Sequence, residues 1–306
     1  MNALITTMLK IVVAMAVGFL LYKLKIFNNE VNKGMSGLVL NVTTPCMIFY
    51  GIVTMGSSEK QNAITLLWTC VIVYVVLAAL ALLITKILKV EKDISGVYQA
   101  ALIFGNVGFL GFPLAESLYG PTGLFYMALM NMHFNLAVYS YGIYLIRRSA
   151  KGTNKFKPLN LVNPGIIGAL LAIIVYFCEI KLPEFVLEPI HFVGSVTSPL
   201  AMIIIGSSAA AFSLKKVFSQ KKIYIMAAIK LLIIPILTFF VLNAFWGNTM
   251  MTQVMTFYVA MPTAAIVGMT AVAAEANADQ ATYATVMMNL LCIISIPVLY
   301  LMMNMF

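Results

Sequence analysis

Charge is what this sequence has least of. Among 306 residues only 19 are basic and 10 acidic, 9% of the chain, where soluble domains carry about a quarter. With 62% of its side chains apolar, a single soluble core could not hide them all from water. A soluble enzyme and a disordered chain are both excluded. Aspartate is scarcer still: Asp93 and Asp279 sit at the edges of apolar runs. The chain has no HExxH, no aspartate pair inside an apolar run and no ATP-binding loop. These absences argue against a membrane-embedded hydrolase and an ATP-driven pump. Histidine occurs twice, as His133 and His191. The four cysteines, Cys46, Cys70, Cys178 and Cys292, stand too far apart in sequence for a CxxC pair or a disulfide framework. They read as small residues facing lipid or core. Neither a metal nor a cofactor is expected.

What the sequence does have is long apolar runs. Segments of about 20 apolar residues suffice to cross a bilayer, and punctuation by charge, Gly, Pro and Asn separates about ten of them. They fall near 4–22, 35–55, 62–85, 97–118, 122–146, 162–178, 190–212, 223–245, 250–275 and 281–304. The first run holds Lys10 and is followed by no small-residue cleavage site, so it reads as a retained helix. The expected fold is an all-α polytopic membrane protein.

The basic residues set its orientation. Alternate loops collect Lys23, Lys25 and Lys33; Lys86, Lys89 and Lys92; Arg147, Arg148, Lys151, Lys155 and Lys157; and Lys215, Lys216, Lys221 and Lys222. The opposite loops hold only Lys60 and Lys181. Basic loops mark the cytoplasmic side, which places both termini on the opposite side of the membrane. The net charge of +9 then reflects topology and contact with anionic lipid, with no nucleic-acid partner implied.

Two internal echoes suggest a repeat. Asn41-Val42-Thr43-Thr44-Pro45 matches Ser195-Val196-Thr197-Ser198-Pro199, and Ala115-Glu116 matches Ala274-Glu275. Each pair is separated by about half the chain. With five runs per half, an odd number, the second copy is inverted relative to the first. The halves would be 1–147 and 161–306, joined by a basic connector over 148–160. Runs four and nine are also interrupted. The fourth contains Gly105-Asn106-Val107-Gly108-Phe109-Leu110-Gly111-Phe112-Pro113, and the ninth Met261-Pro262-Thr263-Ala264, then Gly268. Each Gly costs a helix ~1 kcal/mol and a Pro ~3 kcal/mol. Irregular backbone at membrane depth is tolerated only where protein buries it or it lines a wet cavity. The alternative is a simple proline kink.

At these segments, together with Asn163-Pro164 and Ser198-Pro199-Leu200-Ala201, the chain resembles the auxin efflux carrier family, whose bacterial members include malate and malonate permeases. The resemblance implies ten helices in two inverted five-helix repeats, with helices 4 and 9 broken and crossing near the midplane. It also implies a scaffold of helices 1, 2, 6 and 7, often dimeric, against which helices 3–5 and 8–10 move as an elevator. Many relatives place an Asn soon after the Met-Pro-Thr-Ala of helix 9; here Ala265, Ile266 and Val267 follow, and Thr263 is the nearest hydroxyl until Thr270.

Broken helices leave N-termini with unpaired N–H groups inside the protein, each end worth about +0.5 charge. Such ends hold a carboxylate without a buried Arg or Lys. The expected substrate-binding residues are therefore Gly105, Asn106, Val107, Gly108, Pro113, Met261, Pro262 and Thr263, with the Asn106 amide donating to the anion. Asn131 and Asn135, i and i+4 on one helix face, form either a polar wall of the cavity or interhelical hydrogen bonds. His133 is a candidate proton carrier or a structural residue. Lys230 either snorkels to the basic loop before it or faces the cargo. Glu116 and Glu275 are gating or interface residues, or solvated helix ends. His191 with Glu184 and Glu188 has metal-ligand residue types, yet Pro183 and Pro189 favour a short turn there. The function expected is carriage of a small organic anion, secondary-active or driven by the membrane potential. The alternatives are sodium- or proton-coupled symport of another amphipathic solute, or a membrane-embedded enzyme or sensor.

Overall fold

A computed structural model describes residues 2–54, 60–150, 164–211, 217–274 and 276–306. Residues 151–163, Lys215, Lys216 and Glu275 lie outside them. Regular structure among the described residues is helical throughout, apart from one isolated antiparallel bridge. In chain order the helices are α1 (Asn2–Lys23), α2 (Asn29–Val53), α3 (Lys60–Ile87), α4 (Lys92–Ile103), α5 (Phe112–Ala137), α6 (Ile143–Arg148), α7 (Pro164–Phe177), α8 (Glu184–Ala210), α9 (Lys221–Trp246), α10 (Met250–Ala260), α11 (Ala265–Ala273) and α12 (Ala278–Met303).

Five stretches are long and apolar enough to cross a bilayer as continuous rods: α2, α3 from Gln61, α8, α9 and α12. Of the other expected spans, 4–22 lies within the single helix α1, and two are interrupted. Segment 97–118 breaks after Ile103, and 250–275 breaks after Ala260. Gly120 within α5 takes φ 64° and ψ −155°, a conformation open to glycine alone, and Pro121 follows it. One helix ends there and another starts. This is the boundary expected between the fourth and fifth apolar runs.

Proline shapes the long helices in a recurring way. Widened π-helical turns occupy Val39–Thr43, Val107–Gly111 and Ile229–Ile233, and each ends two residues before a proline: Pro45, Pro113 and Pro235. A proline offers no N–H to the carbonyl four residues back, and its ring crowds that carbonyl. The chain relieves both problems by loosening the preceding turn into i→i−5 bonds, as where Thr44 N–H bonds Val39 O and Ile234 N–H bonds Ile229 O. A fourth π turn, Val138–Gly142, has no proline after it.

The chain forms two compact units: Met1–Leu67 with Val107–Met132 and Val162–Phe212, and Trp68–Asn106 with His133–Leu161 and Ser213–Phe306. In the first unit α1 packs on α8 through reciprocal glycines. A Cβ on Gly18 would lie 1.9 Å from the Ile203 carbonyl oxygen, and one on Gly206 would lie 1.9 Å from that of Met15. Apolar helices surrounded by lipid gain little from hydrophobicity when they associate, so close backbone approach over small residues supplies the packing. In the second unit Gly96 of α4 lies as close to the Leu145 carbonyl of α6, and its N–H bonds Ser149 Oγ at 2.8 Å. Gln99 of α4 joins α3 and α6, donating to Thr85 Oγ1 at 2.9 Å and accepting from Arg148 at 2.8 Å.

Gly206→Ala should therefore force α1 and α8 apart, at a cost of about 1–3 kcal/mol. Gly34→Ala, where a methyl meets open space, should be neutral or slightly stabilising. Thermal melts of the purified variants check this contrast; equal melting temperatures would refute the packing account.

Candidate functional site

The second unit holds both chain interruptions. Helix α4 starts with Asp93 in its first turn and stops at Phe104, whose backbone is extended at φ −94° and ψ 108°. Gly105 follows because nothing larger fits: a Cβ there would lie 2.8 Å from Met261 Cβ. Helix α10 starts at a Thr249 cap that accepts from Thr252 N–H, and ends at Met261, extended at φ −57° and ψ 133°. A residue before proline avoids the helical region, so Pro262 ends α10 and cannot donate a bond of its own.

The two interruptions pair with each other. Gly105 and Thr263 form the antiparallel bridge. Asn106 N–H donates to Pro262 O at 2.6 Å, and Ala264 N–H donates to Phe104 O at 3.0 Å. Side chains from distant sequence take up neighbouring polar groups. Thr263 Oγ1 donates to Ala101 O at 3.0 Å, and Lys230 Nζ to Leu102 O at 2.6 Å. Asn106 Nδ2 donates to Asn289 Oδ1 at 2.9 Å, and Asn289 Nδ2 donates to the carbonyls of Thr263 (2.9 Å) and Thr285 (2.8 Å). Asn106, Lys230, Thr263 and Asn289 are all buried. Buried amides bound into a network hold one geometry, because any partial rearrangement leaves a polar group unpaired. Aromatic rings close in beside it: Phe104 packs edge-on against Phe134, with centroids 6.1 Å apart, and lies 6.2 Å from Tyr74. The Tyr74 hydroxyl bonds that of Tyr258.

The electrostatics follow from helix ends. The last-turn carbonyls of α4 carry partial negative charge, and Thr263 and Lys230 cap them. At α11 the Val267 N–H already bonds Ala264 O at 3.0 Å, so the partial positive charge of the helix start rests on the N–H groups of Ala265 and Ile266. Asn106 has two amide hydrogens, one of which goes to Asn289. An arrangement of this kind can receive an oxyanion.

Of the residues singled out from sequence, Gly105, Asn106, Met261, Pro262 and Thr263 come together here. Val107 and Gly108 lie in the π turn before α5, and Pro113 in the first turn of α5. These three belong to the first unit, as does Asn131, which is buried. Asn135 belongs to the second unit and is half-buried, as is His133. Lys230 does not snorkel. It is 2% exposed, nine residues into α9, and a helix-end carbonyl, Leu102 O, is its partner. Asn289 was missed. Its signals were a lone amide in an apolar run and a position 158 residues after Asn131, matching the spacing of the other echoes. Lys10 is exposed on α1. In the first unit Glu116 is half-buried and hydrogen-bonded to Ser198, in place of a freely solvated helix end, and His191 stacks on Tyr50 at 4.2 Å. No three His, Cys, Asp or Glu side chains converge among the described residues.

The sequence profile of the membrane transport protein family matches residues 3–160 and 153–302, nearly the whole chain. The chain belongs to this family. Its relatives are transporters too. It is 28% identical over 211 residues to an uncharacterized transporter of Methanocaldococcus jannaschii, covering 67% of this chain and 68% of that one. Identity is 21% over 292 residues, 95% of both chains, to an uncharacterized transporter of Methanothermobacter thermautotrophicus. To the uncharacterized transporter YfdV of Escherichia coli it is 26% over 269 residues, 84% of each. This member of the family is accordingly a multi-pass membrane transport protein and not an enzyme. The auxin efflux carrier motifs in its sequence belong to the same family assignment.

Asn289→Leu should leave the Asn106 amide and the Thr263 carbonyl without their partner, destabilising the transporter by about 1–3 kcal/mol. Asn106→Leu combined with Asn289→Leu should cost less than the two single changes added together. A double-mutant cycle on thermal melts measures this, and strict additivity would show that the two amides do not interact.

Proposed function

We propose that this transporter carries a small organic anion, a mono- or dicarboxylate, across a bacterial cytoplasmic membrane. The cargo rests where the interruption at Phe104–Asn106 meets that at Met261–Ala264. The observation that carries this reading is the mutual pairing of these two extended segments, with a buried asparagine amide beside them and the first N–H groups of α11 adjoining. Donors of that kind complement a carboxylate. A helix end contributes up to ~2 kcal/mol in a partly buried setting. Together with one amide, this gives the modest affinity a carrier needs to release its cargo. The glycines let cargo approach the backbone.

On this reading the chain has ten membrane segments in two inverted repeats, with both termini outside. The helices bearing the site move in elevator fashion past a scaffold of the first, second, sixth and seventh segments. Support comes from the half-chain spacing of the sequence echoes, the basic residues on alternate loops and the interruptions in both halves. Val107, Gly108, Pro113, Asn131 and Asn135 are the further candidates for lining the cargo's path.

Asn106→Ala should lower malate or malonate uptake into proteoliposomes by about tenfold or more while the protein still inserts; one unsupported charge-assisted hydrogen bond accounts for that much. Full uptake by the variant would remove Asn106 from the site. Thermal stabilisation of the unmodified protein by cations or neutral solutes, and not by malate or malonate, would reject an anionic cargo.

A further inference from the structure

Lys230 has a role that the site so far described does not use. Its ammonium sits nine residues into the 26-residue helix α9, about 13 Å along the axis, and is 2% exposed. An ammonium at that depth is costly unless something compensates it. The partner it has is Leu102 O, a carbonyl in the last turn of α4, at 2.6 Å. Leu102 is three residues before Gly105, so the charge is fixed to the helix end that stops at the interruption.

The sum of charges there is decided by this one side chain. The C-terminus of α4 contributes about −0.5 charge and the N-terminus of α11 about +0.5. Paired at the Gly105–Thr263 bridge, the two ends nearly cancel. Asn106, Thr263 and Asn289 are neutral. When protonated, Lys230 covers the negative end of α4 through its bond to Leu102 O and leaves the neighbourhood net positive. Without it, the opposed helix ends and the Asn106 amide would still receive an anion, but with much less discrimination against a cation.

We propose that Lys230 is the specificity-determining residue for the sign of the cargo: its charge, held on the α4 end by Leu102, makes the site accept anions and reject cations. Lys230 lies in the π turn Ile229–Ile233 that precedes Pro235. This inference rests on cargo binding at the paired interruptions, but it does not require the cargo to be a carboxylate.

The test uses the full-length purified transporter and three probes of one size and different charge: malonate, malonamide and 1,3-diaminopropane. Affinities are read by ligand-dependent thermal shift for the unmodified protein, Lys230→Arg, Lys230→Gln and Lys230→Met. Gln keeps a donor for Leu102 without charge, and Met keeps the stem with neither, so two uncharged variants guard against misfolding of one. The expected result is malonate binding weakened about 10- to 30-fold in both uncharged variants. Malonamide should be little changed, diaminopropane improved, and Lys230→Arg close to the unmodified protein. The same charge ranking in Gln or Met variants as in the unmodified protein would overturn the proposal. A failure of the carboxylate reading looks different: the unmodified protein would not prefer malonate. Even then, uncharged variants that gain on the diamine would uphold Lys230 as the selector of sign, and an unchanged ranking would overturn it.

Discussion

Inside a bilayer a backbone N–H or C=O without a partner costs several kcal/mol, and this chain interrupts two helices where its sequence is otherwise apolar. Everything at the site depends on how that cost is avoided. The extended residues around Gly105 and Thr263 satisfy one another, N–H to carbonyl in both directions. The carbonyls at the end of α4 take a hydroxyl from Thr263 and an ammonium from Lys230, and Asn289 bonds the Thr263 carbonyl. One interruption alone would be unstable. Two that match complete each other.

The same economy governs the long helices. Proline and glycine are poor helix formers in water, but here they shape transmembrane segments at fixed points. Three prolines are each preceded by a π turn, and one such turn contains Lys230. Glycine acts by absence of bulk: Gly18 and Gly206 bring α1 onto α8, while Gly105 lets the α4 break lie against Met261. Large apolar side chains such as Trp68 and Val75 on α3 are exposed, as suits helices whose surroundings are lipid.

Much of this was legible in the amino-acid sequence, and the reasons differ by feature. Composition alone required a membrane protein. The breaks were legible because Gly, Asn and Pro cluster in otherwise apolar runs, and a residue before proline cannot remain helical. The division at Gly120-Pro121 was visible for the same reason. Side-chain partners were not. Lys230 and Leu102 are 128 residues apart, and Asn106 and Asn289 are 183 apart; no local pattern encodes such a meeting. Snorkelling is the default for a lysine two turns from a basic loop, and it lost to a nearer carbonyl at a helix end. Nor does hydropathy distinguish a continuous rod from a broken one, so apolar runs outnumber the helices long enough to cross the bilayer unbroken. Asn131 and Asn135 share a helix face as the i,i+4 rule requires, yet they belong to different units, a division that periodicity cannot register.

Hydrogen exchange in detergent or nanodiscs tests the backbone pairing most directly, because Asn106 and Ala264 lie outside any helix and would exchange freely if unpaired. The amides of Asn106 and Ala264 should exchange as slowly as those of the α4 interior at Ala100–Ile103. Exchange at the rate of the exposed turn at Leu88–Glu91 would mean that the two interruptions do not hold each other, and the site built on them would fall with that pairing.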